Sequence, residues 1–427
     1  MNITIGRRLT VKLGVAGRRF AACVGIAATL AAPLSSPAQT VAASSTGLEE
    51  IVVTANKLNA QKVLDIPASI QAISGESLQN ISASGIMSIA GEVPGLSIQD
   101  LGPGDKKYVI RGINSTGDAT TGVYYGEAVI SGSNADDGGG FESDIRLYDM
   151  NRVEVLRGPQ GTLYGASSMS GTIRFIPNSP DLNTLGGYLT TEGSETQHAS
   201  GNYNINGEVN LPIIDGVLAL RLVGWKLYDS GYIDQHRVGE GVTGVTNIGT
   251  ATAPNFQTLP VQGLGFVKGV NDDDVGGGRA IVRFHPNDNL TIDANYTTQT
   301  ESSNGSSRYT PPGVAAFSGG PIPPIQGCDL CNTDVTLSPW KDNLTVFGLT
   351  VEYNTGIGTV TGTTNQYNRT TDFTFDSTPV LVSFDVPVPA ETLEPRTRKV
   401  NSSELRDRKS TRLNSSHSTL SRMPSSA

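Results

Sequence analysis

Apolar and polar residues alternate along most of the chain from residue 181 to residue 406. Within residues 278–296, one alternating run ends in a Pro-Asn-Asp-Asn turn, and a second run begins at Leu290. Successive side chains of a strand point to opposite faces, so each run presents one apolar face. Each run is about ten residues long, the length of a tilted strand that crosses a bilayer. The apolar face of the first run carries Ala280, Val282 and Phe284.

Four further segments show the same alternation: residues 202–211, 217–227, 345–354 and 358–368. Short turns alternate with two long polar stretches, 234–275 and 301–343. Transmembrane barrels connect their strands in this way, with short turns at one end and long loops at the other. The pattern favours antiparallel transmembrane β-barrel strands over residues 181–406. The alternative is an aqueous β-sandwich, which requires neither a lipid-facing apolar side nor long loops at one end.

Residues 59–180 show a different pattern, in which short apolar runs alternate with helical segments and loops rich in Gly and Asp. Residues 75–95 predict a helix, a turn and a second helix that ends at Pro94. The predicted strands are residues 66–74, 96–99, 107–113, 121–131 (a strand or a hairpin), 149–159 and 170–180. This mixture predicts a small α/β domain.

Residues 1–38 have the organisation of a secretory signal peptide. Basic residues precede an apolar, Ala-rich run from Phe20 to Leu34, and small residues precede a cleavage position after Ala38. The apolar run is too short to span a membrane. The sequence therefore predicts export, with Cys23 removed in the signal peptide. A buried N-terminal helix is the alternative.

Residues 39–58 contain three consecutive β-branched residues, Ile51 to Val53, between acidic and basic flanks. They predict a short strand with no hairpin partner nearby. A strand near a chain terminus can pair its backbone with the sheet edge of another protein. The alternative is that this strand joins the sheet of its own domain.

Residues 407–427 are basic and Ser-rich and have no helical or strand period. The segment before them, from Val400 to Arg406, has the pattern of the start of an alternating strand. We therefore predict that residues 407–427 are a non-native segment, with a disordered native tail as the alternative.

Composition narrows the class of protein. The net charge is −9 although both ends are basic, which argues against nucleic acid as a partner. No apolar run reaches the length of about 18 residues that predicts a transmembrane helix. An exported chain with 50 glycines and alternating segments is typical of outer-membrane β-proteins.

Candidate catalytic and metal-binding patterns are weak. The His residues are scattered, and no Ser lies in a G-x-S-x-G context, so no catalytic triad is indicated. The acidic residues at 136–137 and 272–274 lack the spacing of a calcium loop. We therefore expect no enzyme activity, no metal and no cofactor.

Cys328 and Cys331 are the cysteines that remain after removal of the signal peptide. A zinc site would need further Cys or His ligands nearby. In an oxidising compartment the pair predicts a short disulfide, which closes a small loop and adds little stability.

Residues 152–165 place Gly158, Gly161 and Gly165 around Pro159. A phosphate-binding P-loop ends in Gly-Lys-Ser/Thr, but no Lys follows Gly161, and the Gly spacing does not match the dinucleotide-binding fingerprint. We therefore interpret this stretch as a tight structural turn after a strand.

Several segments, taken in order, resemble one family. Residues 49–57, "EEIVVTANK", resemble a TonB box. The segments "IPASIQAISGESL", "VPGLSIQ", "YVIRGI", "GVYYGEAVISG" and "LYDMNRVEVLRGPQGTLYGASSMSGTIRFIPNSP" resemble the plug domain of TonB-dependent receptors. The resemblance covers residues 49–180 nearly without gaps. It implies an outer-membrane receptor whose plug sits inside a barrel of about 22 strands.

The resemblance also implies roles for particular residues. The TonB box, which binds the energy-transducing protein TonB, would comprise Glu50, Ile51, Val52, Val53, Thr54 and Ala55. Arg111 and Arg157 stand where plug arginines of the family pair with barrel acids. The plug turns would contain Gly112, Gly158, Pro159, Gly161 and Gly165. Two plug loops would face the ligand through Asn114, Ser115, Asp118, Ser133, Asn134, Asp136 and Asp137.

The resemblance implies energy-coupled uptake across the outer membrane of a Gram-negative cell. The expected partners are TonB, outer-membrane lipid and a small ligand, and the expected state is a monomer. The ligand would be a ferric siderophore, a carbohydrate, a vitamin or an aromatic compound. The alternatives are a passive porin, which would lack residues 49–180, and a soluble extracytoplasmic ligand-binding β-protein. Residues 181–406 hold only about seven or eight strands, so we expect an N-terminal fragment of a longer receptor.

Overall fold

The computed structural model describes residues 7–14, 52–53, 57, 61–62, 66, 68–100, 106–115, 118–131, 142–236, 243–247, 256–260, 266–310, 330–332, 334–384, 389–409 and 420–421. Its first strands are β1 Arg7–Gly14, β2 Val52–Val53 and β3 Gln61–Lys62. β2 and β3 pair antiparallel, so the prediction that this strand has no hairpin partner is wrong. The chain reverses between them, where Lys57 adopts a left-handed φ of 58°.

The predicted plug is a small α/β domain, as its sequence indicates. Its elements are β4 Ser69–Ser74, α1 Gly75–Asn80, a 3-10 helix Ile86–Glu92, β5 Leu96–Asp100, β6 Lys106–Ile110, β7 Thr121–Tyr125, β8 Ala128–Val129, β9 Met150–Arg157, α2 Gly161–Tyr164 and β10 Gly171–Pro177. The second predicted helix is of the 3-10 type, and Gly91 within it lowers its α-helical propensity.

Five of these strands form one sheet in the order β4-β9-β10-β7-β8. β9 runs antiparallel to both neighbours, and β10 runs parallel to β7. The sheet packs against the helices through an apolar core. Its fully buried members include Ile86, Ile89, Ile110, Val153 and Phe175.

The long strands after the plug form one antiparallel sheet, which we call the wall. Its eight strands are β11 Gly186–Glu195, β12 Gly201–Ile214, β13 Leu218–Asp229, β18 Asp273–Asn287, β19 Leu290–Ser303, β21 Trp340–Asn354, β22 Gly358–Asp376 and β23 Glu391–Lys409. They pair in chain order. The alternating runs of the sequence coincide with six of these strands, β12, β13, β18, β19, β21 and β22, whereas β11 and the first part of β23 were not predicted.

The long connections carry short elements: β14 Asp234–His236, β15 Thr243–Asn247, β16 Phe256–Pro260, β17 Phe266–Val267, β20 Cys331–Asn332 and α3 Thr378–Ser383. We call the end of the wall with these connections the outer end. The inner end has the short turns between β12 and β13, β18 and β19, and β21 and β22.

Both edges of the wall carry further pairing. β1, which lies within the predicted signal peptide, pairs with β11, and β24 Leu420–Ser421 pairs with β23. β23 continues past the predicted boundary at Arg406, because residues 407–409 pair with residues 358–360 of β22. Within the described ranges, no helix has both the length and the apolar character needed to cross a membrane.

The plug–wall interface as the candidate functional site

At the outer end, Arg146 of the plug connects two wall strands. Its Nη2 donates to Asp273 Oδ2 of β18 at 2.7 Å and to Glu301 Oε1 of β19 at 3.0 Å. Asp144 lies beside Arg146 and also 3.8 Å from Lys106 Nζ. All these side chains are buried or nearly so. The contact is therefore an ionic cluster, shielded from water, that joins plug and wall.

At mid-height, Asp149 binds two wall arginines. Arg221 donates to both carboxylate oxygens, at 2.7 and 2.6 Å, and Arg279 Nη2 donates to Asp149 Oδ2 at 3.2 Å and to the Asp149 carbonyl at 2.7 Å. Arg279 Nη1 also donates to Tyr125 Oη at 2.8 Å. Asp149 has a left-handed φ of 52°, which is uncommon for a residue other than Gly. The interface therefore holds this residue in an unfavourable backbone conformation.

At the inner end, alternating charges lead from the plug sheet to the wall. Arg174 is buried in β10 and donates to Glu154 at 2.8 Å and to Glu127 at 3.0 Å. Glu127, in the turn between β7 and β8, also pairs with Arg406 of β23. Although burial opposes it, the charges of Arg174, Arg406 and Lys57 lower the pKa of Glu127 below its usual value. This carboxylate therefore stays ionised between plug and wall.

Lys57 ends this series of charges. Its Nζ donates to Glu404 Oε2 at 2.8 Å, and Arg406 Nη1 lies 3.4 Å from its carbonyl oxygen. The ammonium group lies 4.8 Å from the ring centre of Tyr164 and 5.3 Å from that of Tyr124, within the range of cation–π attraction. Burial lowers the pKa of Lys57 below its usual value, while Glu127 and Glu404 oppose the shift. Lys57 thus contacts both plug and wall.

Lys57 is close in sequence to the predicted TonB box. Only the backbone of Val52 and Val53 in that segment is described, and it pairs with β3. Glu50, Ile51, Thr54 and Ala55 lie outside the described residues. Because β2 contains two residues, its pairing to β3 is short. A longer edge strand from another protein could replace this pairing.

Arg111 and Arg157 make no ion pair with any carboxylate of the described wall. Arg157 Nη1 donates to the Pro94 carbonyl at 3.1 Å, and Arg111 lies beside Gly158 on the plug surface. Arg157 pairs in register with Ser69 of β4, whereas the sheet meets the wall through β8, at its opposite edge. The expected contact of these arginines with barrel acids therefore stays a prediction.

The Gly-rich turn is structural in the described residues. The Gly158 amide donates to the Ser170 carbonyl and the Gln160 amide to the Ser168 carbonyl, each at 2.8 Å. Gly158 and Gly165 have φ values of 103° and 71°, which favour Gly. Pro159 precedes α2, which begins at Gly161, and Gly112 has a φ of 72°. Amides that already donate within the turn are not free to bind phosphate, which agrees with the interpretation from sequence.

The predicted ligand-facing loops are described in part. Asn114, Ser115 and Asp118 lie in a surface loop after β6, where the Asn114 side chain accepts from the Ser115 amide at 2.8 Å. Ser133, Asn134, Asp136 and Asp137 lie outside the described residues. Asp272 binds the backbone and side chain of Asn304, so this acid supports a loop. In the described ranges no three His, Cys, Asp or Glu residues are arranged to hold a metal ion.

Cys331 forms a disulfide, and its predicted partner Cys328 lies outside the described residues. Cys331 begins β20, which pairs with β14 beneath the outer connections. Close to it, Asn332 Nδ2 donates to Asp334 Oδ2 at 3.0 Å. The disulfide therefore belongs to an ordered loop cluster at the outer end.

The charged residues that make the interface do not stand out in the sequence: Lys57, Glu127, Arg146, Asp149, Arg221, Arg279, Glu404 and Arg406. Their partners are far apart in sequence, such as the 347 positions between Lys57 and Glu404. One feature of the sequence does point to this interface. The alternation along β18 places Arg279 and Arg283 on the face opposite to its apolar residues. Charges on that face predict polar contacts inside a barrel.

Comparison with known proteins agrees with this architecture. Residues 62–172 match the family described as TonB-dependent Receptor Plug Domain. The chain is 28% identical over 213 residues to the pesticin receptor of Yersinia pestis, covering 48% of this chain and 30% of that protein. It is 27% identical over 181 residues to the vitamin B12 transporter BtuB of Photobacterium profundum, covering 42% and 28%.

Among solved structures, the ferric yersiniabactin uptake receptor FyuA from Yersinia pestis has a similar fold. It aligns with a TM-score of 0.56 at 19% identity, over 80% of this chain and 45% of that one. The chain carries the plug domain of TonB-dependent receptors, followed by antiparallel strands whose fold matches part of a receptor barrel. It spans about a third of the length of the curated relatives it matches.

Proposed function

We propose that this chain is part of an outer-membrane transporter that imports a scarce ligand with energy supplied through TonB. The observation that carries the proposal is the plug–wall interface with Lys57 at its inner end. Ion pairs and hydrogen bonds can be exchanged for others during movement, so the polar part of this interface allows the plug to shift against the wall. Because Lys57 adjoins β2, a pull on that segment acts directly on this interface.

The alternatives have less support. A passive porin needs an open lumen, whereas here a complete small domain lies against the inner side of the wall. A soluble β-protein would have no reason to expose Leu189, Ile205, Tyr296 and Phe347 on the outer side of one sheet. Outward apolar side chains support a lipid environment, and with it the outer membrane.

The ligand class stays broad: a ferric siderophore, or else a carbohydrate, a vitamin or an aromatic compound. The matched relatives are named for pesticin and vitamin B12, and FyuA for ferric yersiniabactin. These names differ among themselves, so they do not select one ligand for this chain. Growth of a receptor-deletion strain on a panel of iron and carbon sources identifies the nutrient.

The test of energy coupling is Val53→Pro in the full-length receptor. Proline removes a backbone donor, so strand addition by TonB is blocked. We expect ligand binding at the cell surface to persist and uptake to fall to the level of a strain without TonB. Val53→Ile is the matched control, because it keeps the amide and the extended geometry. Wild-type uptake by the proline variant would contradict the proposal.

A further inference from the structure

Two carboxylates of the wall meet on one nitrogen of a plug arginine. Arg146 Nη2 donates to Asp273 Oδ2 at 2.7 Å and to Glu301 Oε1 at 3.0 Å, so acids from the paired strands β18 and β19 lie close together. The second oxygen of each acid, Asp273 Oδ1 and Glu301 Oε2, is buried and has no hydrogen-bond partner among the described residues. One guanidinium nitrogen therefore serves two acids, and each acid keeps an unused acceptor. We call Asp273 and Glu301 the acid pair.

The plug charges around the acid pair do not balance it. Asp144 lies 3.9 Å from Arg146 Nη1, which places a third carboxylate on the same guanidinium group. Lys106 Nζ lies 3.8 Å from Asp144 but only 2.5 Å from Asp100. Among these described groups, two cations face the acid pair and two further carboxylates. This part of the interface therefore carries an excess of negative charge.

The neighbouring wall strands do not remove this excess. Asp229 of β13 pairs in register with Asp273, and its charge adds to that of the acid pair. Asp342 of β21 pairs in register with Glu301. The charge of Asp342 is balanced by Arg369 of β22, which donates to it from Nε at 2.9 Å and from Nη2 at 2.7 Å. Arg369 is thus already committed to another acid.

The remaining titratable plug groups near the acid pair have other partners. Tyr108 Oη donates to the Ser143 carbonyl at 2.9 Å, and Tyr148 Oη donates to Asn204 Oδ1 at 3.0 Å. A tyrosine is neutral at physiological pH, so neither phenol supplies a charge. Glu142 lies 3.9 Å from Arg398 of β23, on the far side of the wall from β18. These groups leave the charge of the acid pair unchanged.

Two ionised carboxylates that share one cation away from water repel each other. Glu301 is 1% exposed, so water does not screen this repulsion. Carboxylates that converge in this way favour a state in which the pair holds one proton. A proton on an unused oxygen removes one negative charge and leaves both bonds to Arg146 in place. The geometry therefore accommodates a shared proton without any movement of the plug.

We propose that Asp273 and Glu301 share one proton while the plug is seated against the wall. When the plug shifts and Arg146 withdraws, water reaches both acids, and they ionise like exposed carboxylates and release the proton to water. Seating then takes up a proton, so a fall in pH at the outer end tightens this contact and a rise loosens it. This consequence rests on the plug movement proposed above, whereas the shared proton does not.

The first experiment detects the proton by infrared spectroscopy of the full-length receptor at pH 6. An exposed carboxyl group, with a pKa of about 4, is ionised at this pH. The wild type should show a protonated-carboxyl stretching band that is absent from both Glu301→Gln and Asp273→Asn. The control Asp293→Asn, which removes an acid paired with Arg283 within the wall, should keep the band. A wild-type spectrum without this extra band would overturn the inference.

The second experiment measures hydrogen exchange of residues 142–149 in the full-length receptor at pH 5 and pH 7.5, corrected for intrinsic rates. One proton changes an equilibrium by at most about tenfold per pH unit, so protection should rise towards pH 5 within that limit. Glu301→Gln, which mimics the protonated acid, should be protected equally at both pH values, and Asp293→Asn should behave like the wild type.

Two results would contradict this second step. Protection that is independent of pH in the wild type, with the infrared band present, would overturn the link between the proton and seating. The same pH dependence in Glu301→Gln would assign the proton to another group. Neither measurement requires import of a ligand, so a failure of the proposed transport function would leave both results unaffected.

Discussion

The interior of the plug and its contact with the wall are stabilised by different interactions. Inside the plug, buried Ile, Val and Phe side chains join sheet and helices. Towards the wall, apolar contacts continue through Leu344, Val346 and Tyr367, and Tyr148 of the plug lies in a second cluster with Val223, Trp225, Leu227 and Val275. Ion pairs and charged hydrogen bonds, which the plug interior has in smaller measure, are added to these contacts. The difference implies that the plug can keep its fold while its position in the barrel changes, because the two depend on separate interactions.

The largest loss of stability is expected from Phe175→Ala, which tests the apolar packing inside the plug. Phe175 is fully buried in β10, so its truncation leaves a cavity and should destabilise the plug by about 3–5 kcal/mol. Hydrogen exchange of the plug amides in the full-length receptor measures the loss. Phe347→Ala, at an exposed wall position, is the control and should leave plug protection unchanged.

A similar or slightly smaller loss of free energy is expected from Asp149→Asn, which tests the ion pairs between plug and wall. Asn tolerates the left-handed backbone but leaves Arg221 and Arg279 without their carboxylate, and loss of one partner of a buried pair costs about 3–5 kcal/mol. The plug should then be held less tightly, and passive entry of a large antibiotic should increase. Asp293→Asn is the control, because Asp293 pairs with Arg283 within the wall. Equal entry in both variants would argue against a role of Asp149 in holding the plug.

A smaller loss of free energy is expected from Lys57→Met, which keeps the aliphatic part of the side chain and removes the charge. The lost ion pair and ring contacts are worth about 2 kcal/mol in a desolvated site. The β2 segment should become available more often, so the periplasmic domain of TonB should bind the ligand-free receptor more tightly than it binds wild type. Lys107→Met, at an outer position where Lys107 binds the Ser115 carbonyl, is the control. Unchanged TonB affinity would show that Lys57 does not restrain this segment.

The smallest effect is expected at the outer loop around Asp334. Burial, with the charge of Asp376 acting in the same direction, raises the pKa of Asp334 from 3.8 to about 6. The folded loop therefore binds a proton more readily than the unfolded chain, so its stability rises as the pH falls from about 6 towards 4. Hydrogen exchange of residues 330–336, corrected for intrinsic rates, should show more protection at pH 5 than at pH 7.5. In Asp334→Asn this pH dependence should disappear.

The regular part of the fold could be predicted from the sequence. Alternation predicts six of the eight wall strands, because an apolar outer face leaves a period of two in the residues. The plug strands follow from short apolar runs between turn residues such as those around Gly158. The extension of β23 past Arg406 was missed because charged residues with no apolar alternation gave no strand pattern.

The candidate site could be predicted only in part. The structural turn around Gly158 follows from local residues, whereas the TonB box stays a prediction that rests on resemblance. The pairing of β2 with β3 was missed because the residues between them contain no recognisable turn motif. Ion pairs such as Arg146 with Glu301 join residues 155 positions apart, and single charges do not reveal their partners. Arg111 and Arg157 were assigned by resemblance, and their contact with barrel acids stays a prediction.

The most direct test of the separation between plug fold and plug position is hydrogen exchange of the full-length Asp149→Asn receptor, measured together with antibiotic entry. We predict that amides of β9 and β10 keep wild-type protection while entry of the antibiotic increases. Loss of protection in β9 and β10 in parallel with increased entry would contradict it, because the fold of the plug would then depend on the same contacts that hold it in the barrel.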